Sequence, residues 1–229
     1  MSAPTVSRAG LLPTMAIRLV GGIVVMAALV FLPAGTLAYW EAWVLLVILF
    51  GAVLVIGVWL YVRDPEALER RMRTREREKP QKGIIAAFIV LMVFLFVIPG
   101  LDHRYGWSNV PAAVALLAEA FIVLGFLLFF LTVRENRYAS RVIEVEENQE
   151  VITTGPYAVV RHPMYLSMTL VIALWPLALG SWWGFLPSVL VPVLLAARIV
   201  NEERILAQDL PGYAEYLQKV RYRLLPFVW

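Results

Sequence analysis

Long apolar runs limit this chain more than any other feature. A helix that crosses a bilayer needs about 20 mostly apolar residues. Four runs of that kind precede Arg134: Ile17 to Leu37, with Gly21, Gly22 and Pro33 inside it; Ala42 to Val62, without charge; Gly83 to Leu101; and Val110 to Val133, which contains Glu119. A fifth apolar stretch, Met164 to Val200, is too long for one straight span. It is interrupted at Gly180–Gly184 (GSWWG), which predicts a tight hairpin of two shorter helices. The expected fold is an all-α integral membrane protein with about six transmembrane helices and a C-terminal helical hairpin. It forms one membrane domain over 1–229: four N-terminal spans in 1–133, then a core in 134–229 that ends in an amphipathic helix.

Composition agrees. The chain is 61% hydrophobic and 16% charged, against roughly 45–50% and about 25% in soluble domains. It has too few polar residues to cover a water-facing surface. It has no cysteine, which excludes disulfides, thiolate metal sites and cysteine nucleophiles. The first apolar run has no clear cleavage site and is long enough to remain as a span. No internal repeat is visible.

Charge sets the orientation. With the N-terminus in the cytoplasm and six crossings, all but Arg104 of the 20 basic residues fall inside, as the positive-inside rule requires. Tyr39, Trp40, Trp43, Tyr105, Trp107, Trp182 and Trp183 then form an outer aromatic belt. Both termini are expected in the cytoplasm. The Ala-, Val- and Arg-rich composition points to a bacterial inner membrane. The net charge of +3 serves topology rather than nucleic-acid binding. His103 and His162 fall on opposite sides, which argues against a histidine metal site. The basic loop from Arg63 to Lys82 is expected to be a solvated helix at the lipid surface.

Three segments carry possible chemistry. Val142 to Thr153 holds Glu144, Glu146, Glu147 and Glu150 among aliphatic residues and reads as a short extended stretch. It leads into TTGPYAVVRHPMY, Thr153 to Tyr165, just ahead of a hydrophobic helix. Pro163 suits the first turn of that helix, whose N-terminus would attract an anion. A plain juxtamembrane turn reads equally well. Next, in RIVNEER, Arg198 and Glu202 are four apart and share a helix face, while Glu203 points about 100° away. They are either a surface ion pair or the polar floor of a membrane cavity. Last, PGYAEYLQKVRYRLLPFVW suggests an amphipathic helix from about Pro211 and an extended end. Tyr213 and Tyr216 line a cavity or, more simply, the lipid boundary. Glu119, deep in a span, faces other helices or a wet cavity.

Together these segments, from about Asn136 to Trp229, resemble the isoprenylcysteine carboxyl methyltransferase family. The combination is Arg-His-Pro-x-Tyr, a hairpin, a Glu-Glu pair and Gly-Tyr-x-x-Tyr. The four N-terminal spans match by hydropathy alone. The resemblance implies a membrane enzyme that takes a methyl group from S-adenosyl-L-methionine, held in a cytoplasm-facing pocket. Its lipophilic or prenylated substrate would arrive from the surrounding membrane lipids. It implies cofactor contacts at Gln149, Glu150, Val151, Ile152, Tyr157, His162, Pro163, Met164, Tyr165 and Glu202, and a substrate carboxylate held by Arg198. Arg198 and Glu202 would be the catalytic pair, with no metal and no nucleic acid involved. A carboxylate acceptor is already ionised at neutral pH and needs orientation rather than a base. A thiol or amine acceptor would need a base, for which His162, Glu202 and Glu203 are candidates. Phospholipid N-methylation and small-thiol S-methylation remain as alternatives. More distant are an NADPH-dependent membrane reductase, with a phosphate site in Arg70–Arg77, and a non-catalytic scaffold.

Overall fold

The computed structural model describes residues 8–72, 79–138 and 149–229. In chain order these form α1 (Arg8–Ala34), α2 (Trp40–Arg63), α3 (Pro65–Met72), α4 (Lys79–Tyr105), α5 (Ala112–Glu135), a 3-10 turn (Gly155–Ala158), α6 (Pro163–Ala173), α7 (Trp175–Ala178), α8 (Trp182–Ser188), α9 (Leu190–Asp209) and α10 (Tyr213–Lys219). No strand occurs among the described residues. The protein is an all-α integral membrane protein. Five segments are long and apolar enough to cross a bilayer: α1, α2, α4, α5 and the α8–α9 stretch Trp182–Asp209.

Two expectations about length change. Hydropathy places the first and third spans at Ile17 and Gly83, but α1 begins at Arg8 and α4 runs from Lys79 to Tyr105. Apolar residues mark where lipid begins. The helix continues beyond it because the flanking backbone still needs its own hydrogen bonds. The hairpin is also unequal. Its first arm, Pro163–Ala178, is shorter than the five spans and rises about 24 Å at 1.5 Å per residue, against about 30 Å of hydrocarbon. Its second arm is long. Val189 keeps helical angles (φ −59, ψ −23) between α8 and α9, and Pro192 falls in the first turn of α9, where no intrahelical N–H is required.

The hairpin turn sits at the expected place. Gly180 has φ +70, a conformation that glycine adopts without strain. Ser181 then caps α8, its side chain accepting from Gly184 N. The first arm and α5 meet at a close approach. A Cβ on Gly125 would lie 2.7 Å from Val171 Cγ2 and 3.3 Å from Ser167 O, so the absence of a side chain lets α5 and α6 touch. Small residues serve helix contacts this way in lipid, where burial alone does not drive helices together. The main core draws on α1, α2, α4, α5, α6, α7 and α9, with Leu45, Leu95, Ile122, Val191 and Ile199 fully buried. Ile17, Val47, Leu117 and Val193 stay exposed, as lipid-facing positions do.

The bundle has two unlike ends. At the aromatic end Tyr39 stacks on His103 at 3.9 Å, and Asp102 accepts from Ser108 N at 2.7 Å and from Ser181 Oγ at 2.5 Å. At the basic end Arg137 faces Asp64 at 3.7 Å and Glu66 at 3.1 Å. Here α3 departs from expectation. It is docked, not solvated: Ala67, Leu68 and Arg70 are buried, packed with Ile56, Leu60 and Val133. Asp64 explains why the helix starts, since its Oδ1 accepts from Ala67 N at 3.0 Å and Pro65 fills the first helical position.

Candidate active site

The segment before α6 is pinned from both sides. On one side Thr154 Oγ1 donates to Glu135 at the end of α5, and Asn136 Nδ2 donates to Tyr157 Oη at 3.0 Å. On the other, the chain after α10 runs alongside it. Arg161 N donates to Tyr222 O and His162 N to Arg223 O, both at 2.9 Å. The C-terminal residues fold back beneath, with Arg223 N and Leu224 N both bonded to Trp229 O at 2.9 Å. The expected extended end therefore holds for Val220–Leu224 only and closes in a turn.

These contacts shape a cleft at the basic end. Gln149, Glu150, Val151, Ile152, Tyr157, His162, Met164, Tyr165 and Glu202 all line it. Two expected residues do not. Pro163 is buried at the first position of α6. Arg198 is buried behind Tyr165, to whose hydroxyl its Nε donates at 2.9 Å. Tyr165 Oη in turn donates to Glu202 Oε2 at 2.5 Å. Arg198 and Glu202 share a face, as their spacing predicts, but a tyrosine from another helix stands between them. The expected extended stretch from Val142 lies outside the described residues up to Asn148.

Other lining residues were not expected as ligands. Asn136, Tyr138, Arg161, Leu206 and Leu210 belong to the cleft. So do Tyr213 and Tyr216, whose rings lie 5.7 Å apart, and for these the simpler lipid-boundary reading is wrong. Tyr216 Oη donates to Tyr157 O at 2.8 Å, which ties α10 to the 3-10 turn. Burial pushes the hydroxyls of Tyr157, Tyr213 and Tyr216 well above the ordinary phenol range, so all three remain hydrogen-bond donors at neutral pH.

Glu203 has the opposite role to Glu202. Its Oε1 lies 3.1 Å from Arg161 Nη1 and 3.3 Å from His162 Nε2. Its Oε2 accepts from Arg223 Nε at 2.8 Å, and the Arg223 guanidinium lies 5.2 Å over the Trp229 ring. One buried carboxylate thus fastens the Arg-His-Pro segment and the C-terminal tail to α9. Both of its oxygens are engaged, which removes it from the candidate bases. The N-terminus of α6 also offers less to an anion than its position suggested. Pro163 has no N–H, and Tyr165 N already bonds His162 O at 3.1 Å.

The cleft combines carboxylates (Glu150, Glu202), cations (Arg161, His162), tyrosine faces and apolar side chains (Val151, Ile152, Leu206, Leu210). That mixture suits a ligand with cationic, aromatic and polar parts. Its enclosed volume is about 90 Å³, small beside the roughly 300–1,000 Å³ of pockets that hold drug-sized ligands. A nucleoside-sized ligand therefore requires the walls to part.

The family model for phospholipid methyltransferases matches residues 113–210, from α5 to the end of α9. The matched stretch contains every expected site residue and ends before Tyr213. Over that stretch, less than half of the chain, the protein is similar to membrane methyltransferases. No curated protein matches the chain.

Proposed function

We propose that this protein transfers a methyl group from S-adenosyl-L-methionine to a lipophilic acceptor at the basic end of the bundle. One observation carries the reading. Residues from four separate stretches, Gln149 to Ile152, Tyr157, the group His162, Met164 and Tyr165, and Glu202, converge on one cleft, as the sequence resemblance implies. The donor set fits the cofactor. Glu150 and Glu202 suit a sulfonium and an α-ammonium group, and Tyr157, Tyr213 and Tyr216 offer aromatic faces to a purine and a nearby cation. Bound there, the cofactor supplies an electrophilic methyl group. The protein's share is to orient the pair and exclude water, effects worth roughly 7–11 kcal/mol in well-oriented reactions. Tyr165 fixes the Glu202 carboxylate, Glu203 fixes the His162 ring, and the apolar wall of Leu206 and Leu210 keeps water out.

The acceptor has two readings, each with its own support. The Arg198 motif favours the carboxylate of an isoprenylcysteine-like molecule, which a guanidinium grips through its fork. Arg198 meets the cleft through Tyr165, to whose hydroxyl its Nε donates. The phospholipid methyltransferase match favours a headgroup amine. The excess of basic residues at this end supports a cytoplasm-facing cleft.

One assay addresses chemistry, acceptor and side together. Sealed inverted membrane vesicles carrying the protein receive methyl-labelled cofactor from outside, with a prenylated cysteine or a phosphatidylethanolamine acceptor. The cofactor is charged and does not cross the bilayer. Label in the lipid fraction is expected from inverted vesicles and not from right-side-out ones. Release of the label as methanol by base identifies an ester, and base-stable label identifies an amine product. No labelled lipid with either acceptor, from protein that binds the cofactor, would leave the acceptor class wrong. No binding at all would remove the methyl-transfer reading.

A further inference from the structure

Arg71 lies in the last turn of α3, and its partly buried guanidinium is poorly served. Nη1 reaches Ala67 O and Nη2 reaches Asn136 O, both at 3.5 Å, and Nε has no partner. Distances of 3.5 Å lie beyond the usual N–H···O range. Basic side chains commonly cap the carbonyls at a helix C-terminus, but Arg71 reaches Ala67 O and Asn136 O, the cap of α5, only at that long range. Arg70 beside it has a closer partner, donating Nε to Arg137 O at 3.1 Å. Among the described residues the acid that acts on Arg71 is Asp64, whose Oδ1 holds Ala67 N and whose Oδ2 faces Arg137. Burial lowers the Arg71 pKa to about 10, so it stays cationic at neutral pH. Among the described residues no carboxylate pairs with Arg71, and a partly buried cation left so is costly, which favours a counter-charge from a bound ligand.

The position says from where. Arg71 and Tyr157 are close enough that each shifts the other's ionisation. Asn136, whose carbonyl Arg71 approaches, holds the Tyr157 hydroxyl at 3.0 Å through its side chain. Asn136 and Tyr157 both line the cleft. The end of α3 is steadied from α1 by Arg18 Nη1, which donates to Met72 O at 2.6 Å. We propose that Arg71 is an oxyanion anchor at the α3 edge of the cleft and takes the carboxylate or phosphate of a bound ligand. On the methyl-transfer reading, on which this choice of sources rests, the oxyanion is either the cofactor's amino-acid carboxylate or the phosphate of a lipid acceptor. The anchor brings α3, which lies outside the matched stretch, into a site otherwise built from the end of α5 onward.

The test uses full-length protein in lipid nanodiscs, wild type against Arg71→Gln and Arg71→Lys. Titration calorimetry compares S-adenosylmethionine with its decarboxylated analogue. If Arg71 holds the cofactor carboxylate, wild type prefers the intact cofactor by about 10- to 100-fold, the worth of a charge-assisted hydrogen bond, and Arg71→Gln erases that preference. If it holds a lipid phosphate, cofactor affinity is unchanged in Arg71→Gln and the KM for a phospholipid acceptor rises by a similar factor. Arg71→Lys, which keeps the charge and loses the fork, falls between and serves as the test should Arg71→Gln fail to fold. Inorganic sulfate gives a readout that needs no cofactor: it is expected to raise the unfolding temperature of wild type and not of Arg71→Gln. Variants that match wild type in all three readings overturn the anchor. A wild type that binds no S-adenosylmethionine but is stabilised by sulfate through Arg71 keeps the anchor and overturns the methyl-transfer reading.

Discussion

Glu203 shows how much one side chain organises at this end of the molecule. It meets Arg161, His162 and Arg223 with two oxygens, from elements that are remote in sequence. Removing one partner of a buried ion pair costs about 3–5 kcal/mol because the other charge is stranded. Arg223 is a third exposed, so solvent screens part of this loss. Glu203→Gln is therefore expected to destabilise the protein by about 2–3 kcal/mol in detergent unfolding, and to weaken ligand binding through a loosened His162. Unchanged stability would show that the three cations do not depend on this carboxylate. Residue spacing foretells only part of this. A four-residue step puts Arg198 and Glu202 on one face because helical geometry is local. Tyr165 between them, and Arg223 on Glu203, are tertiary contacts that no spacing within RIVNEER encodes. Tyr213 and Tyr216 illustrate the same limit. A pair of tyrosines three apart marks a face, and only packing decides whether that face meets lipid or a cleft.

At the scale of elements, hydropathy finds the spans, and glycine and proline find their interruptions. The GSWWG turn falls where the sequence places it. The unequal arms do not, because the apolar run ends at Val200 while α9 continues through the charged residues that follow to Asp209. α3 was expected at the lipid surface for its charge, while its buried side, Ala67 and Leu68, is too short a pattern to announce docking. The contact of α5 with α6 is the element-scale feature most open to test. Gly125→Ala sets a methyl group 2.7 Å from Val171 Cγ2, and overpacking of this kind costs about 1–3 kcal/mol. α6 carries Met164 and Tyr165 into the cleft, so ligand affinity should fall along with the unfolding temperature. Val171→Ala removes the colliding atom. The double variant is expected to recover part of the loss, and a purely additive double variant would mean the helices meet elsewhere.

For the whole molecule, the division into an aromatic end and a basic end follows from composition alone, since lipid sorts apolar, aromatic and cationic residues by depth. The cleft follows less directly. Its residues come from just after α5, from the segment before α6, and from α6, α9 and α10, and only tertiary packing brings them together. The motifs are legible because each is short and local. Their convergence is a property of the fold. That convergence is tested most directly by calorimetric binding of S-adenosylmethionine to the purified protein in nanodiscs, beside Tyr157→Ala, Glu202→Ala and NADPH as a competing ligand. Saturable binding at one site per chain is expected, competed by S-adenosylhomocysteine, indifferent to NADPH and lowered at least about tenfold, or 1.4 kcal/mol, in both folded variants. A folded wild type that binds NADPH instead, or cofactor binding that neither substitution disturbs, would contradict a cofactor site in this cleft.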